Sequence, residues 1–160
     1  MTSNQPLPPD VAQVRAISTT RLTLIAGVAL AFLTGALGAM LIMSTPHDAP
    51  GRMALWLPSL GLLGSLVIAL FGVLLLFAPE AIAGLERHRR LLNITWRVGA
   101  VFIVIALAAL LITTPSSWLI ALLGAVIAAH PVAAAYVLAS RTARRLDARP
   151  LGHRDRLAEF

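Results

Sequence analysis

The sequence predicts an all-α, polytopic membrane protein, a four-transmembrane-helix bundle with both termini cytoplasmic. Three observations point there. Hydrophobic residues make up 58% of the 160 and charged residues only 12%, well outside the composition of water-soluble domains. The apolar residues gather into four long stretches, of a length that crosses a hydrocarbon layer as a helix. All acidic residues, Asp10, Asp48, Glu80, Glu86, Asp147, Asp155 and Glu159, lie outside those stretches, as the cost of a charge in hydrocarbon requires.

Residues 1–21 form a polar cytoplasmic segment containing Pro6, Pro8 and Pro9, which predicts disorder as far as Arg15 and Arg21 at the membrane surface. The membrane domain occupies 22–139. Its first span, 22–43, is longer than the apolar core of a secretory signal and reads as a retained helix. Pro46, Pro50 and Gly51 then make a hairpin loop. The second span, 53–77, has Pro58 in its early turns, where a missing amide donor does least harm, and Pro79 marks its end. In 79–97, Ile82, Leu85, Leu92 and Trp96 recur at helical spacing, and Glu86 is placed to pair with Arg90. That pattern predicts an amphipathic cytoplasmic helix on the membrane surface. The third span, 98–113, is short by strict count and recruits Leu91 to Trp96, with Arg97 snorkelling to the headgroups. Thr114 and Pro115 read as N-cap and first position of the fourth span, 118–139. An arginine-rich cytoplasmic tail, 140–160, follows.

Four spans place 12 of the 13 arginines on one side and leave Arg52 alone opposite. Since arginine-rich short segments stay in the cytoplasm, the termini are expected inside and the protein in the plasma (inner) membrane. Trp56 and Trp118 fall near the predicted outer boundary and Trp96 near the inner one, where indole rings prefer to sit. Arg87, Arg89, Arg90, Arg97, Arg141, Arg144, Arg145 and Arg149 are then contacts for anionic lipid, each contributing about 1 kcal/mol. No aromatic residues interleave the tail arginines, so a nucleic-acid partner is not expected.

Inside the spans the one ionisable residue is His130, midway along the fourth and followed by Pro131. Pro131 cannot donate to the Ile127 carbonyl, which predicts a kink and a free acceptor for the imidazole. The pair is the candidate intramembrane site, either as a neutral histidine satisfied within a kinked bundle or as a proton carrier or ligand. His47, His88 and His153 fall in loops or tail and there is no cysteine, so no metal or other cofactor is expected within one chain, although a symmetric dimer would bring two copies of His130 together. Small residues recur at every fourth position: Gly27, Ala31, Gly35 and Ala39; Gly61, Ser65 and Ala69; Ala121, Ala125, Ala129 and Ala133. Such series predict close helix packing within the chain or against a partner. No phosphate-binding loop, dinucleotide fingerprint, nucleophile elbow or zinc-protease motif is present, and hydroxyls such as Thr23, Thr34, Ser59 and Ser65 lack a base beside them. Catalysis is not expected.

In span number and size the chain is similar to the small multidrug resistance transporters. Those depend on a glutamate in the first helix, which the first span lacks, and the resemblance is rejected. The stretch Arg90, Leu91, Leu92, Asn93, followed by Arg97, resembles a loop of ATP synthase subunit I proteins, which are small, helical and implicated in assembling a rotor ring. Their glycine and asparagine pattern in the second helix is not reproduced beyond Gly61 and Gly64, and the family is not adopted. The resulting expectation is an accessory or assembly component of a larger membrane complex, contacting lipids and either a membrane-protein partner or a second copy of itself. Alternatives are an oligomeric transporter or channel using His130, or a phage-type holin.

Overall fold

The structure, a computed structural model, describes residues 9–47 and 54–147. They form four helices, α1 (Pro9–Ser44), α2 (Trp56–Leu76), α3 (Ala81–Thr113) and α4 (Trp118–Asp147), with no strand among the described residues. Each helix is long and apolar enough to cross a membrane. The chain is therefore an all-α, multi-pass membrane protein. α1 packs chiefly on α2 and α3 on α4, and α2 lying against α4 joins the two hairpins. This alternation gathers the start of α1, the α2–α3 turn and the end of α4 at one end of the bundle, called here the terminal end.

Two elements differ from the sequence reading. The first is α1, which begins at Pro9, well before the first apolar span. Proline is tolerated in a first helical turn, and Asp10 there complements the positive end of the helix dipole. Its early turns are also anchored, because Ala12, Thr19 and Thr20 are buried against the bundle.

The second is α3, whose 33 residues run unbroken through both the predicted surface helix and the third span. No proline interrupts Ala81–Thr113. The apolar face of the amphipathic stretch covers the bundle and not the membrane surface: Leu85 and Leu92 are fully buried, while Glu86, Arg87, Arg89 and Arg90 point outward. At the other end of α3, Thr114 Oγ1 donates to the Leu110 carbonyl at 2.9 Å. Thr114 thus closes α3 with its side chain, and it stands as N-cap of the Pro115–Ser117 turn that leads into α4 through its carbonyl, which accepts from the Ser117 amide at 3.0 Å.

Backbones approach closely where side chains vanish. A Cβ on Gly27 would stand 2.6 Å from the Ala69 nitrogen, and one on Gly61 would stand 2.9 Å from the Ala128 Cα. Of the predicted small-residue series, Gly27, Gly61, Ser65, Ala121 and Ala125 are buried, Ala31, Gly35 and Ala69 are half-buried, and Ala39, Ala129 and Ala133 are exposed. The reason is rotational. Four-residue steps overshoot a turn of 3.6 residues by about 40° each, so a series drifts off its face within three steps. The buried faces instead alternate steps of three and four, as in Gly61, Ser65, Ile68, Gly72 and Leu75 of α2.

Candidate functional site

At the terminal end, α1 turns a run of threonines inward. Thr19 Oγ1 donates to the Arg15 carbonyl at 2.7 Å, and Thr23 Oγ1 donates to the Thr19 carbonyl at 2.8 Å. Back-bonding of this kind lets a helix bury hydroxyls without leaving them unsatisfied. Opposite them stands His88 of α3, only 3% exposed, with Nε2 3.2 Å from Thr23 Oγ1. The pair shares one proton, and the Phe71 backbone is the ring's other polar neighbour. Nδ1 is fully enclosed, and it is the one buried side-chain nitrogen or oxygen among the described residues with no partner at hydrogen-bonding geometry.

The sequence reading placed His88 in a loop. It is instead the central residue of a buried stripe, because α3 is continuous there. Leu85, His88 and Leu92 follow steps of three and four, so the signal was present in the spacing and was masked by four neighbouring charges, Glu86, Arg87, Arg89 and Arg90.

α4 closes the same end. Arg145 Nη1 donates to Ser18 Oγ at 2.6 Å and Thr19 Oγ1 at 2.7 Å, and Arg15 Nη1 donates back to the Arg145 carbonyl. A guanidinium near the last carbonyls of a helix is favoured by the dipole as well as by the bond. The seam thus links α3, α1 and α4 through His88, Thr23, Thr19 and Arg145. Beside it, at the α2–α3 turn, a cleft of about 330 Å³ is lined by Phe71, Leu74, Phe77, Arg87, His88 and Leu91 among others.

The predicted lipid arginines divide by position. Arg87, Arg89, Arg90, Arg97, Arg141 and Arg144 are exposed, Arg145 is half-buried in the clasp, and Arg149 lies outside the described residues. Arg89, Arg90 and Arg97 share one groove on α3 with Glu86 and Asn93. Beside it Arg97 lies 5.6 Å from the Trp96 ring, Trp96 donates to Asn93 Oδ1 at 3.1 Å, and Trp96 meets Tyr136 edge to face at 5.4 Å. Trp56 and Trp118 are exposed at the opposite end of the bundle.

His130 departs from the sequence reading in direction. Pro131 is buried, near Gly64 of α2, and since successive residues diverge by about 100° around a helix, His130 points out of the bundle and is exposed. Its Nδ1 meets the Val126 carbonyl at 2.8 Å, not the Ile127 carbonyl that Pro131 leaves free. A carbonyl only accepts, so Nδ1 holds the proton of that bond, and in a neutral ring Nε2 faces outward as an acceptor. Val126, Ala129, Ala133 and Val137 are exposed on the same side. Comparison with family models, with curated proteins and with solved structures returns no match to this chain.

Proposed function

We propose that the protein is an accessory or assembly component of a larger membrane complex, and that it docks the outer face of α4 against a transmembrane helix of another protein. The observation that carries this reading is the exposed His130, about 18 Å along the helix axis from Trp118 and so near the middle of a hydrocarbon layer about 30 Å thick. An imidazole facing acyl chains is costly, and ionisable residues at such depth stand against protein or water. The neighbours Ala129 and Ala133 are short enough to admit another backbone. Because Nε2 is the free acceptor, the matching helix carries a hydroxyl or amide donor at the same depth. Two copies related by a two-fold axis would oppose acceptor to acceptor, which favours a different protein over self-association.

The test is a photocrosslinking residue at Ala133 in native membranes. A discrete adduct with one other membrane protein, lost when His130→Leu is added, is the expected result. No adduct, or one of twice the chain's own mass, overturns the reading. Gathering of the described arginines at the terminal end supports a plasma (inner) membrane location with cytoplasmic termini. The natural chain has no cysteine, so single Ser116→Cys and Arg144→Cys variants test it directly. The first should react with an impermeant thiol reagent on intact cells and the second only after lysis.

A further inference from the structure

A groove of about 380 Å³ lies between α2 and α3, because each of these helices packs more on α4 than on the other. Leu63 and Val67 line one side and Ile94, Val98 and Phe102 the other, with the buried Ala128 and Pro131 of α4 beneath them. Gly64 places no side chain above Pro131, which keeps the groove open. Leu63, Val98 and Phe102 are exposed on helices that cross the membrane, so the groove opens to hydrocarbon and takes a chain of methylenes.

Ile94 also lines the polar groove of Glu86, Arg89, Arg90, Asn93 and Arg97, and the two grooves meet there. Arg90, Asn93 and Arg97 follow steps of three and four and share a face of α3. At 1.5 Å per residue Arg97 stands about 24 Å and Arg90 about 35 Å from Thr113 at the far end of the helix. The two therefore bracket the edge of a hydrocarbon layer about 30 Å thick. Asn93 lies between them, and its Oδ1 accepts from the Trp96 indole at 3.1 Å. An indole only donates, so Nδ2 carries the amide hydrogens and is the donor that Asn93 offers to the groove. Two guanidinium groups and an amide donor at headgroup depth, next to an apolar groove, match a phosphate ester joined to an acyl chain. Three arginines against Glu86 leave an excess of positive charge, which favours a headgroup of net negative charge over a zwitterionic one.

We infer that the two grooves together hold one anionic phospholipid, its phosphate between Arg90 and Arg97 with Asn93 donating to it, and one acyl chain between α2 and α3 over Pro131. Such a site differs from the general attraction of surface arginines for acidic lipid in fixing a single molecule. It is also independent of the α4 docking surface, since Ala128 and Pro131 face inward and Ala129 and Ala133 outward.

The experiment uses the full chain in phosphatidylcholine nanodiscs doped with phosphatidylglycerol, with retained lipid counted by native mass spectrometry. One phosphatidylglycerol per chain should be retained, about tenfold over phosphatidylcholine, as two arginines at the membrane surface provide. The double variant Arg90→Gln with Arg97→Gln should bring the two lipids within about twofold of each other. Arg141→Gln with Arg144→Gln, which removes as much charge from the same end of the bundle, should leave the preference intact. All four arginines are exposed, so these variants keep the fold. Val98→Trp should lower retention by filling the groove from an exposed position, and soluble glycerophosphoglycerol should not displace the lipid. Equal losses in the two arginine double variants overturn the inference, because the attraction is then diffuse. Displacement by glycerophosphoglycerol, or undiminished retention in Val98→Trp, overturns it too, because the acyl chain then lies elsewhere.

Discussion

His88 and His130 use the same chemistry in opposite directions. Each commits one ring nitrogen to its own chain, Nε2 to Thr23 Oγ1 in the first and Nδ1 to the Val126 carbonyl in the second. The His130 ring then turns its other nitrogen outward, whereas the His88 ring has the Phe71 backbone as its other polar neighbour. His88 lies toward the terminal end of the bundle but points inward and is buried, whereas His130 lies midway along α4 but points outward and is exposed. Position along a helix and direction around it are independent coordinates, and the second decides what a polar group meets. An inward imidazole contributes to the fold, and an outward one is available only to a neighbour in the membrane.

That contrast rests on how the helices are rotated, and rotation is set by close contacts. The largest expected effect is therefore on Gly27. Gly27→Leu places a side chain into the Ala69 backbone and should cost about 3 kcal/mol or prevent folding, as overpacking does, measured by reversible unfolding in mixed micelles. Ala133→Leu, on the outer face of α4, should stay within about 0.5 kcal/mol. If both variants lose comparable stability, α4 is rotated from the position described and His130 is not outward.

The histidines themselves give the next test. His88→Leu should lower stability by about 2 kcal/mol, through the lost bond to Thr23 and a shape the seam does not fit. His130→Leu should leave the isolated bundle unchanged or slightly stabilised, since it replaces a polar ring on the hydrocarbon-facing surface, and should act only on association. A smaller effect is expected at the clasp. Arg145→Ala should cost about 1 kcal/mol and speed amide exchange over residues 12–19, whereas Arg144→Ala should alter neither.

How far the sequence made this legible follows from the same distinction. Hydropathy depends only on position, so four spans and the clustering of arginines at one end were readable before any contact was known. Direction was harder. The three-and-four spacing of Leu85, His88 and Leu92 would have turned His88 inward had the charges of 86–90 not suggested a surface helix. For His130 and Pro131, adjacency in sequence suggested a shared role, although neighbours on a helix face different ways. The four-residue series failed at Ala39, Ala129 and Ala133 for the same reason, an accumulating phase error. Arg145 was readable as a cation near lipid, but its pairing with Ser18 and Thr19 joins opposite ends of the chain, and no local pattern records it.

The smallest expected effect separates two hydroxyl contacts that look alike. Midway along the bundle, Thr34 Oγ1 of α1 stands 3.4 Å from Ser65 Oγ of α2, nearly the same separation as His88 and Thr23. Both hydroxyls there already donate within their own helices, Thr34 to the Leu30 carbonyl at 2.7 Å and Ser65 to the Gly61 carbonyl at 2.8 Å. Neither proton is free for the partner, so a bond across the helices requires one hydroxyl to abandon a shorter bond to backbone. At His88 the second hydroxyl is replaced by a ring nitrogen that is buried away from water and loses its contact if Thr23 is removed. Thr34→Val should therefore cost less than about 0.5 kcal/mol, below the average of roughly 0.6 kcal/mol found for hydrogen bonds between membrane helices. Thr23→Val, which takes the hydroxyl partner from the buried imidazole, should cost about 1–2 kcal/mol. Equal costs for the two valine variants would mean that Thr34 and Ser65 form a true interhelical bond, and the threonine seam would lose its claim to be the bundle's specific polar contact.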